Sequence, residues 1–133
     1  MPLPSITLTG NLTADPELRF LSNGTPVASL RVACNDRYKK DNEWVDGEPC
    51  FVKVNVWRNQ AENLTQTLRK GDGVVITGRL KQNNYTDQSG ANRVSFEVEA
   101  DSIGADLRRS SFVKTEPQFK TNGQSDNYVG VSF

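Results

Sequence analysis

One segment of the chain alternates without a slip between two kinds of side chain over eight residues, 50–57. Val52, Val54 and Val56 share one parity, which predicts a β-strand that buries its valine face. The other face carries Phe51, Lys53, Asn55 and Trp57. Rings and cations of this kind stack bases and neutralise phosphates. Because aromatic residues are common in strands anyway, cover by another element or subunit explains the same face equally well.

Length, charge and cysteine usage bound the class of protein. A chain of 133 residues corresponds to about one domain. Its 16 basic and 16 acidic residues balance, so nucleic-acid binding would require a local basic face. The chain has no histidine, and Cys34 and Cys50 are not at metal-ligand spacing, so neither a metal nor a cofactor is expected. Their strand parity favours small buried apolar side chains over a disulfide.

The composition of the chain changes near residue 109. Residues 1–109 are expected to form one globular domain. Residues 110–133 are rich in Ser, Thr, Asn, Gln and Lys, and are expected to form a flexible, disordered C-terminal tail. The first residues lack a charged region followed by an apolar run, and no stretch is long and apolar enough to span a membrane. A cytoplasmic protein without a membrane partner is therefore expected.

Five strands are predicted in the first part of the chain. They cover residues 6–13, 27–34, 50–57, 74–85 and 93–100, with residues 35–47 as a polar loop. Gly10 indicates a bulge or a close backbone approach in the first strand. The turn Asp-Gln-Ser-Gly at residues 87–90 joins the last two strands into a hairpin. The side chains expected to face the core are Ile6, Leu8, Leu12, Ala28, Leu30, Val32, Cys34, Val74, Ile76, Leu80, Val94, Phe96 and Val98.

A single helix is predicted between the third and fourth strands. Asn59 can cap its start, and Glu62 follows three residues later as in a capping box. Gly71 can end the helix. A narrow apolar stripe along it consists of Ala61, Leu64 and Leu68.

Three strands, a helix and two strands follow the element order of the OB-fold. Five short antiparallel strands leave exposed edges in an open sheet, and closure into a barrel removes those edges. We therefore predict an all-β protein with one short helix, folded as a five-stranded OB-fold barrel. The usual ligand surface of that fold spans strands two and three and the loops that join strands one to two and four to five.

Aromatic and basic side chains collect on this expected ligand surface. The aromatic candidates are Tyr38, Phe51, Trp57 and Tyr85. The basic candidates are Arg31, Arg37, Lys39, Lys40, Lys53, Arg58, Arg79 and Lys81. Acidic side chains are expected not to oppose them, because Glu97 and Glu99 come late on the fifth strand and four others fall in the polar loop. Convergence of several elements favours a ligand face over a chance strand pattern.

Seven motifs of the chain occur in the order and at the spacing of a known family. They read GNLTADPELR, GTPVA, WRNQAEN, LRKG, GRL, YTDQSG and IGADL between residues 10 and 107. Over residues 5–108 the chain resembles the bacterial single-stranded-DNA-binding proteins. The pattern W-x-D-G-E at residues 44–48 resembles actinobacterial members in particular.

This resemblance implies a fold, an assembly and a function. It implies an OB-fold, a homotetramer and sequence-tolerant binding of single-stranded DNA in replication, recombination and repair. A protein with these roles belongs in the cytoplasm, associated with the nucleoid. The resemblance also implies which rings stack on bases, namely Tyr38, Phe51, Trp57 and Tyr85.

The end of the chain departs from the family pattern. The family usually ends in an acidic tip with a terminal Phe that recruits replication and repair proteins. Here Phe133 is kept, but Asp126 is the only acidic side chain among residues 125–133. The hypothesis is therefore weak or altered recruitment of such partners through the tail.

Four other functions are weighed against this one. A module for RNA or oligosaccharide would use the same fold and rings, and a primosomal protein of related fold is closer still. A structural assembly protein would bury Phe51 and Trp57 between subunits. An enzyme such as a nuclease needs a general base or metal-binding carboxylates. The sequence offers no histidine and no carboxylate cluster on the ligand face, so it predicts that the protein is not an enzyme.

Overall fold

The computed structural model describes residues 2–114. In this part of the chain the strands are β1 Ser5–Leu12, β2 Glu17–Phe20, β3 Pro26–Lys40, β4 Glu43–Trp57, β5 Gly73–Thr86 and β6 Asn92–Ala105, and helix α1 spans Arg58–Thr67 between β4 and β5. The predicted class, all-β with one short helix, is confirmed. The predictions made for residues 115–133, including Asp126 and Phe133, lie outside the described residues.

The strands close into a barrel. Their order is β1-β5-β6-β4-β3-β2, and an additional pairing of β1 with β3 joins the ends of the five longer strands. β4 and β6 run parallel over Lys53–Asn55 and Glu97–Glu99, whereas the other pairs are antiparallel. The short β2 only extends the edge at β3. This closed five-stranded arrangement confirms the OB-fold prediction.

The inward faces of the strands form the hydrophobic core. The largest fully buried side chains are Val27, Val32, Val54, Val56, Val74, Ile76 and Val98. Helix α1 adds Ala61 and Leu64 to the core, and Leu68 follows directly after it. Burial of each Val, Leu or Ile side chain contributes roughly 1.5–3 kcal/mol, so the valine face of β4 predicted from the sequence is a main source of stability.

Gly10 lies where β1 meets β3, and the predicted close backbone approach is confirmed. A Cβ atom at this position would overlap the carbonyl oxygen of Ala33 and lie 2.7 Å from Cγ1 of Val32. The closing pairs of the barrel, Asn11 with Ala33 and Leu12 with Val32, come immediately after Gly10. Only glycine lets the two strands approach this closely.

The polar loop predicted for residues 35–47 is wrong, because β3 and β4 continue through it as a hairpin. The connection consists of Asp41 and Asn42, with φ of 52° and 65°. Two successive residues with positive φ make the turn whose twist matches that of the strands. Asp and Asn tolerate positive φ better than other non-glycine residues. The turn was not predicted from the sequence because it contains no glycine.

The predicted capping of the helix is also wrong. The N-cap residue is Trp57, without a side-chain hydrogen bond, so Asn59 and Glu62 lie inside the helix. β4 passes directly into α1 through Arg58, whose φ is 62°. The last helical residue is Thr67, and the C-cap residue is Leu68 rather than Gly71. Nη1 of Arg69 donates to the carbonyl oxygens of Thr65 and Leu68 at 2.7 and 2.8 Å.

Four side chains face differently from the prediction. One of them is Cys50, which is exposed although its strand parity predicted burial. Val94 and Phe96 are 55% and 56% exposed instead of buried, whereas Asn55 is only 6% exposed and lies 3.4 Å from the Oγ of Ser29. β6 pairs with β4 only from Glu97 onward. The β5–β6 hairpin therefore extends past the barrel before that point, and alternation alone does not show where the barrel ends.

Within the described range of 2–114, no helix is both long and apolar enough to cross a membrane.

Candidate nucleic-acid interface

A row of charged side chains crosses four neighbouring strands. Arg31 of β3 lies opposite Lys53 of β4, Lys53 lies opposite Glu97 of β6, and Glu97 lies opposite Lys81 of β5. Nζ of Lys53 is 3.5 Å from Oε2 of Glu97. We call these four residues the charged row. It places three predicted basic candidates side by side, with one carboxylate among them.

The expectation that acidic residues stay clear of this surface is wrong. Glu97 lies between two lysines, and Oε1 of the neighbouring Glu99 is 3.9 Å from Nζ of Lys81. Burial alone would raise the pKa of Glu97, but a hydrogen bond from Asn83 and the charges of Lys53 and Lys81 outweigh it, so the pKa falls below its usual value. The carboxylate is therefore charged at neutral pH and partly neutralises the row.

Trp57 is held at the end of β4 by a specific hydrogen bond. Its Nε1 donates to Oε2 of Glu99 at 2.9 Å, while 36% of the side chain stays exposed. Glu99 thus contacts both an aromatic candidate and a basic candidate. The sequence reading missed this role, because it depends on the parallel pairing of β4 with β6.

Phe51 and Phe96 line a cavity of about 400 Å³ beside the charged row. The guanidinium carbon of Arg31 is 4.6 Å from the centroid of the Phe51 ring, which is within the range of a cation–π interaction. Both rings are half exposed. The remaining lining residues are Ala14, Asp15, Glu17, Ser29, Leu30, Arg31 and Lys53. We call this cavity the Phe51–Phe96 pocket; Phe96 is an aromatic residue of the site that the sequence reading had assigned to the core.

The two tyrosines lie on the hairpins that project from the barrel. Tyr38 is seven residues beyond Arg31 on β3, and Tyr85 is four residues beyond Lys81 on β5. At about 3.3 Å per residue, these separations correspond to roughly 23 and 13 Å. Both rings are about half exposed. The structure therefore spreads the four predicted rings along an extended surface rather than joining them in one cluster.

The other basic candidates differ in their partners. Arg37 pairs with Asp46 at 3.2 Å and lines a separate cavity of about 480 Å³ beside β1. Arg79 pairs with Asp101 at 3.4 Å. Within residues 2–114, the basic candidates that form no ion pair are Arg31, Lys39, Lys40 and Arg58.

No group of three or more His, Cys, Asp or Glu side chains that could hold a metal ion occurs in the part of the chain that the structure describes. The interface therefore rests on rings, cations and the carboxylates that pair with them.

An OB-fold barrel that presents half-exposed rings among cations defines a class of oligonucleotide- or oligosaccharide-binding modules. Residues 3–106 match the single-strand binding protein family. The chain belongs to this family, as the motifs in the sequence predicted. The family consists of DNA-binding proteins rather than enzymes.

Relatives of the chain come from actinobacteria, which confirms the prediction from residues 44–48. A single-stranded DNA-binding protein of Corynebacterium glutamicum is 46% identical over 121 residues, covering 90% of this chain and 52% of the relative. Single-stranded DNA-binding protein 2 of Streptomyces coelicolor is 45% identical, with 90% and 59% covered. The protein of Mycolicibacterium smegmatis is 47% identical, with 78% and 64% covered. The chain thus spans between about half and two thirds of the length of these relatives.

A solved structure has the same fold. The crystal structure of the small single-stranded DNA-binding protein from Streptomyces coelicolor superposes with a TM-score of 0.73 and 37% sequence identity, covering 83% of this chain and all of that one.

Proposed function

We propose that the protein binds single-stranded DNA without sequence preference and thereby protects it in replication, recombination and repair. The observation that carries this proposal is the Phe51–Phe96 pocket beside the charged row, on the barrel face of a member of this family. Exposed rings next to cations suit a ligand whose bases stack and whose phosphates are negative.

Base stacking explains a preference for single strands over duplex. Every base has an aromatic face, so stacking needs no particular sequence and is worth about 1–3 kcal/mol per base. In a duplex those faces are covered by neighbouring base pairs. The rings that we propose to stack on bases are Tyr38, Phe51, Trp57 and Tyr85. We include Phe96 in this proposal because it lines the same pocket as Phe51.

Phosphate neutralisation is proposed for the basic candidates, in two groups. Four of them already pair with carboxylates, so a phosphate must replace a carboxylate and the net gain is small. These are Arg37, Lys53, Arg79 and Lys81. Cations without such a partner release counterions on binding, which makes affinity fall with salt by about 0.7 logarithmic units per phosphate. The cations that we propose to contact phosphates are Arg31, Arg37, Lys39, Lys53, Arg58, Arg79 and Lys81, and the unpaired members should contribute most.

We also propose that the protein is a homotetramer in the nucleoid-associated cytoplasm. Family membership supports this assembly. We further propose a domain at residues 1–109 and a tail at residues 110–133. The tail recruits replication and repair proteins weakly, because Asp126 is the only acidic side chain near Phe133. Light scattering tests the tetramer. A pull-down that compares this tail with an acidic tail tests recruitment, and equal recovery of partners would contradict weak recruitment.

Competition for a labelled oligo(dT) tests the proposed ligand. Fluorescence anisotropy would follow displacement of the label by unlabelled oligo(dT), by duplex, by RNA of equal length and by an oligosaccharide. We expect efficient displacement by oligo(dT), weak displacement by duplex and none by the sugar, with weaker binding at high salt. If RNA or the oligosaccharide displaces the label more strongly than oligo(dT) does, the proposal that single-stranded DNA is the ligand is wrong.

A further inference from the structure

Cys34 and Cys50 lie directly opposite each other on β3 and β4. Both are free thiols in the structure. Directly opposed residues of an antiparallel pair have Cα atoms about 4.5 or about 5.5 Å apart, depending on the hydrogen-bonding pattern. A disulfide accommodates Cα separations of about 4.4–6.8 Å. Both separations fall inside this range, so the register of β3 with β4 allows a bond between the two sulfur atoms.

We propose that Cys34 and Cys50 form a modification site, at which a low-molecular-weight disulfide oxidises the two thiols to a cross-strand disulfide within one chain. This inference does not depend on which ligand the protein binds. It differs from the sequence reading, which treated each cysteine as a separate small apolar side chain, because only the register of β3 with β4 brings the two together.

The accessibility of the two thiols sets the order of the exchange. Cys50 is exposed, whereas Cys34 is half buried against the core. The Cys50 thiolate attacks one sulfur of the small disulfide, forms a mixed disulfide and releases one small thiolate. The Cys34 thiolate then attacks the Cys50 sulfur and releases the second small thiolate. The protein thiols lose two protons and two electrons in total, and the small disulfide is reduced to two thiols.

The second step is favoured by the same proximity. Burial raises the pKa of the Cys34 thiol, and the nearby charge of Cys50 raises it further. The opposed strands hold Cys34 beside the Cys50 sulfur, so attack within the chain competes well with attack by a free thiol.

The disulfide would cross-link β3 and β4 at the barrel end of their hairpin. Beyond the cysteines the register shifts between Asn35 and Arg37, and the hairpin then carries Tyr38 and Trp44. A covalent link before this irregularity limits opening of the strands. Oxidation is therefore expected to slow amide hydrogen exchange in residues 35–48 relative to the reduced protein.

Mass spectrometry of the full-length protein in a mixture of oxidised and reduced glutathione tests the proposal. We expect the loss of both free thiols, a mass decrease of two hydrogen atoms, and a peptide in which Cys34 is linked to Cys50. The oxidised protein should run as a single chain on a non-reducing denaturing gel. Two persisting thiols, two separate glutathione adducts or links between chains would overturn the proposal.

Single cysteine variants provide the matched controls. Cys34→Ser keeps the exposed thiol and is expected to stop at one glutathione adduct under the same conditions. Cys50→Ser is expected to react more slowly, because only the half-buried thiol remains. Hydrogen exchange in residues 35–48 should slow on oxidation of the native chain and stay unchanged in both variants. If amide hydrogen exchange in the native chain stays unchanged after the disulfide has formed, the disulfide does not limit opening of the hairpin.

Discussion

Glu99 accepts a hydrogen bond from Trp57 and also lies within ion-pair distance of Lys81. The carboxylate therefore has two opposite effects on DNA binding: it holds a ring in place, and it competes with phosphate for a cation. A glutamine at this position would keep an oxygen that can accept from Trp57 and would lose the negative charge.

Glu99→Gln is expected to strengthen binding of oligo(dT) at low salt. The side chain of Lys81 is half exposed and its Nζ is 3.9 Å from Oε1 of Glu99, so solvent weakens this ion pair to about 0.2–1 kcal/mol. Release of Lys81 should therefore raise affinity by up to roughly fivefold. Asp106→Asn removes an equal charge from the separate cavity beside β1, where Asp106 pairs with Arg108, and is the control for a general charge effect. Weaker binding by Glu99→Gln, or an equal gain in both variants, would show that Glu99 does not compete with phosphate.

Phe96→Ala is expected to weaken binding of oligo(dT) without lowering the melting temperature. The ring is exposed in the Phe51–Phe96 pocket, and loss of one stacking partner costs about 1–3 kcal/mol, or roughly 5- to 150-fold in affinity. Val94→Ala is the matched control, because Val94 is equally exposed on the same strand. Unchanged affinity of Phe96→Ala, or an equal loss in both variants, would remove Phe96 from the interface.

The sequence predicted part of the residue-scale picture. Strict alternation placed Phe51 and Lys53 correctly on the outer face of β4, because a strand has a fixed period of two. It failed at Asn55, which is buried, and at Phe96, which is exposed. Both predictions were wrong because burial depends on the curvature and extent of the barrel. The local alternation of side chains carries no information about either.

At the scale of an element, the turn between β5 and β6 is organised by one side chain. Oδ1 of Asp87 accepts hydrogen bonds from the amide nitrogens of Ser89 and Ala91 at 2.9 and 3.0 Å. Oδ2 accepts from Nε of Arg93 at 2.7 Å. Gly90 completes the turn with φ of 85°. The Ser89 hydroxyl also donates to Oδ1, at 2.6 Å. This bond, followed by those from Arg93 and from the amides of Ala91 and Ser89, lowers the pKa of Asp87 to about 2.

The turn is therefore expected to open at low pH. Because the pKa of Asp87 is lower in the folded turn than in an unfolded chain, its stabilisation is complete above the unfolded value, near 4, and is lost as the pH falls through about 2. NMR amide shifts of Ser89 and Ala91 should titrate with a midpoint near 2. Asp87→Asn should abolish this titration, and a native midpoint near 4 would contradict the hydrogen-bonded turn.

The sequence predicted some elements and missed others. The turn at residues 87–90 was correct, because Asp and Gly mark it unambiguously. The turn at Asp41 and Asn42 was missed, because both residues with positive φ lack the glycine that usually signals it. The start of the helix was misplaced, because β4 continues directly into α1 and leaves no room for a separate capping residue.

At the scale of the whole molecule, closure of the barrel depends on the short contact between β1 and β3. Gly10→Ala is expected to lower the stability of the folded protein by about 1–3 kcal/mol, because the added methyl group overlaps the backbone at Ala33. Thermal denaturation measures the effect. Gly104→Ala is the control, since no atom beyond Gly104 and its two chain neighbours lies within 4 Å of its Cβ position. Equal melting temperatures for the two variants would contradict the close approach.

The barrel itself was predictable, because the strand count and the position of the helix leave few alternatives to closure. The strand pairs that bring the residues of the candidate site together were harder to predict from the sequence. The parallel pairing of β4 with β6 puts Glu97 between Lys53 and Lys81, and no local pattern in either strand announces it. The sequence thus predicted the rings and cations of the surface. That carboxylates pair with these cations became evident only from the strand topology.

The most direct test of the account is the fluorescence of Trp57 during titration with oligo(dT). The chain has two tryptophans, so Trp44→Phe leaves Trp57 as the only reporter. A labelled oligonucleotide would show independently when binding is complete. We predict quenching of Trp57 by oligo(dT), reversal by salt, and no quenching by duplex of equal length. Unchanged Trp57 emission with oligo(dT) fully bound would contradict base stacking on this face of the barrel.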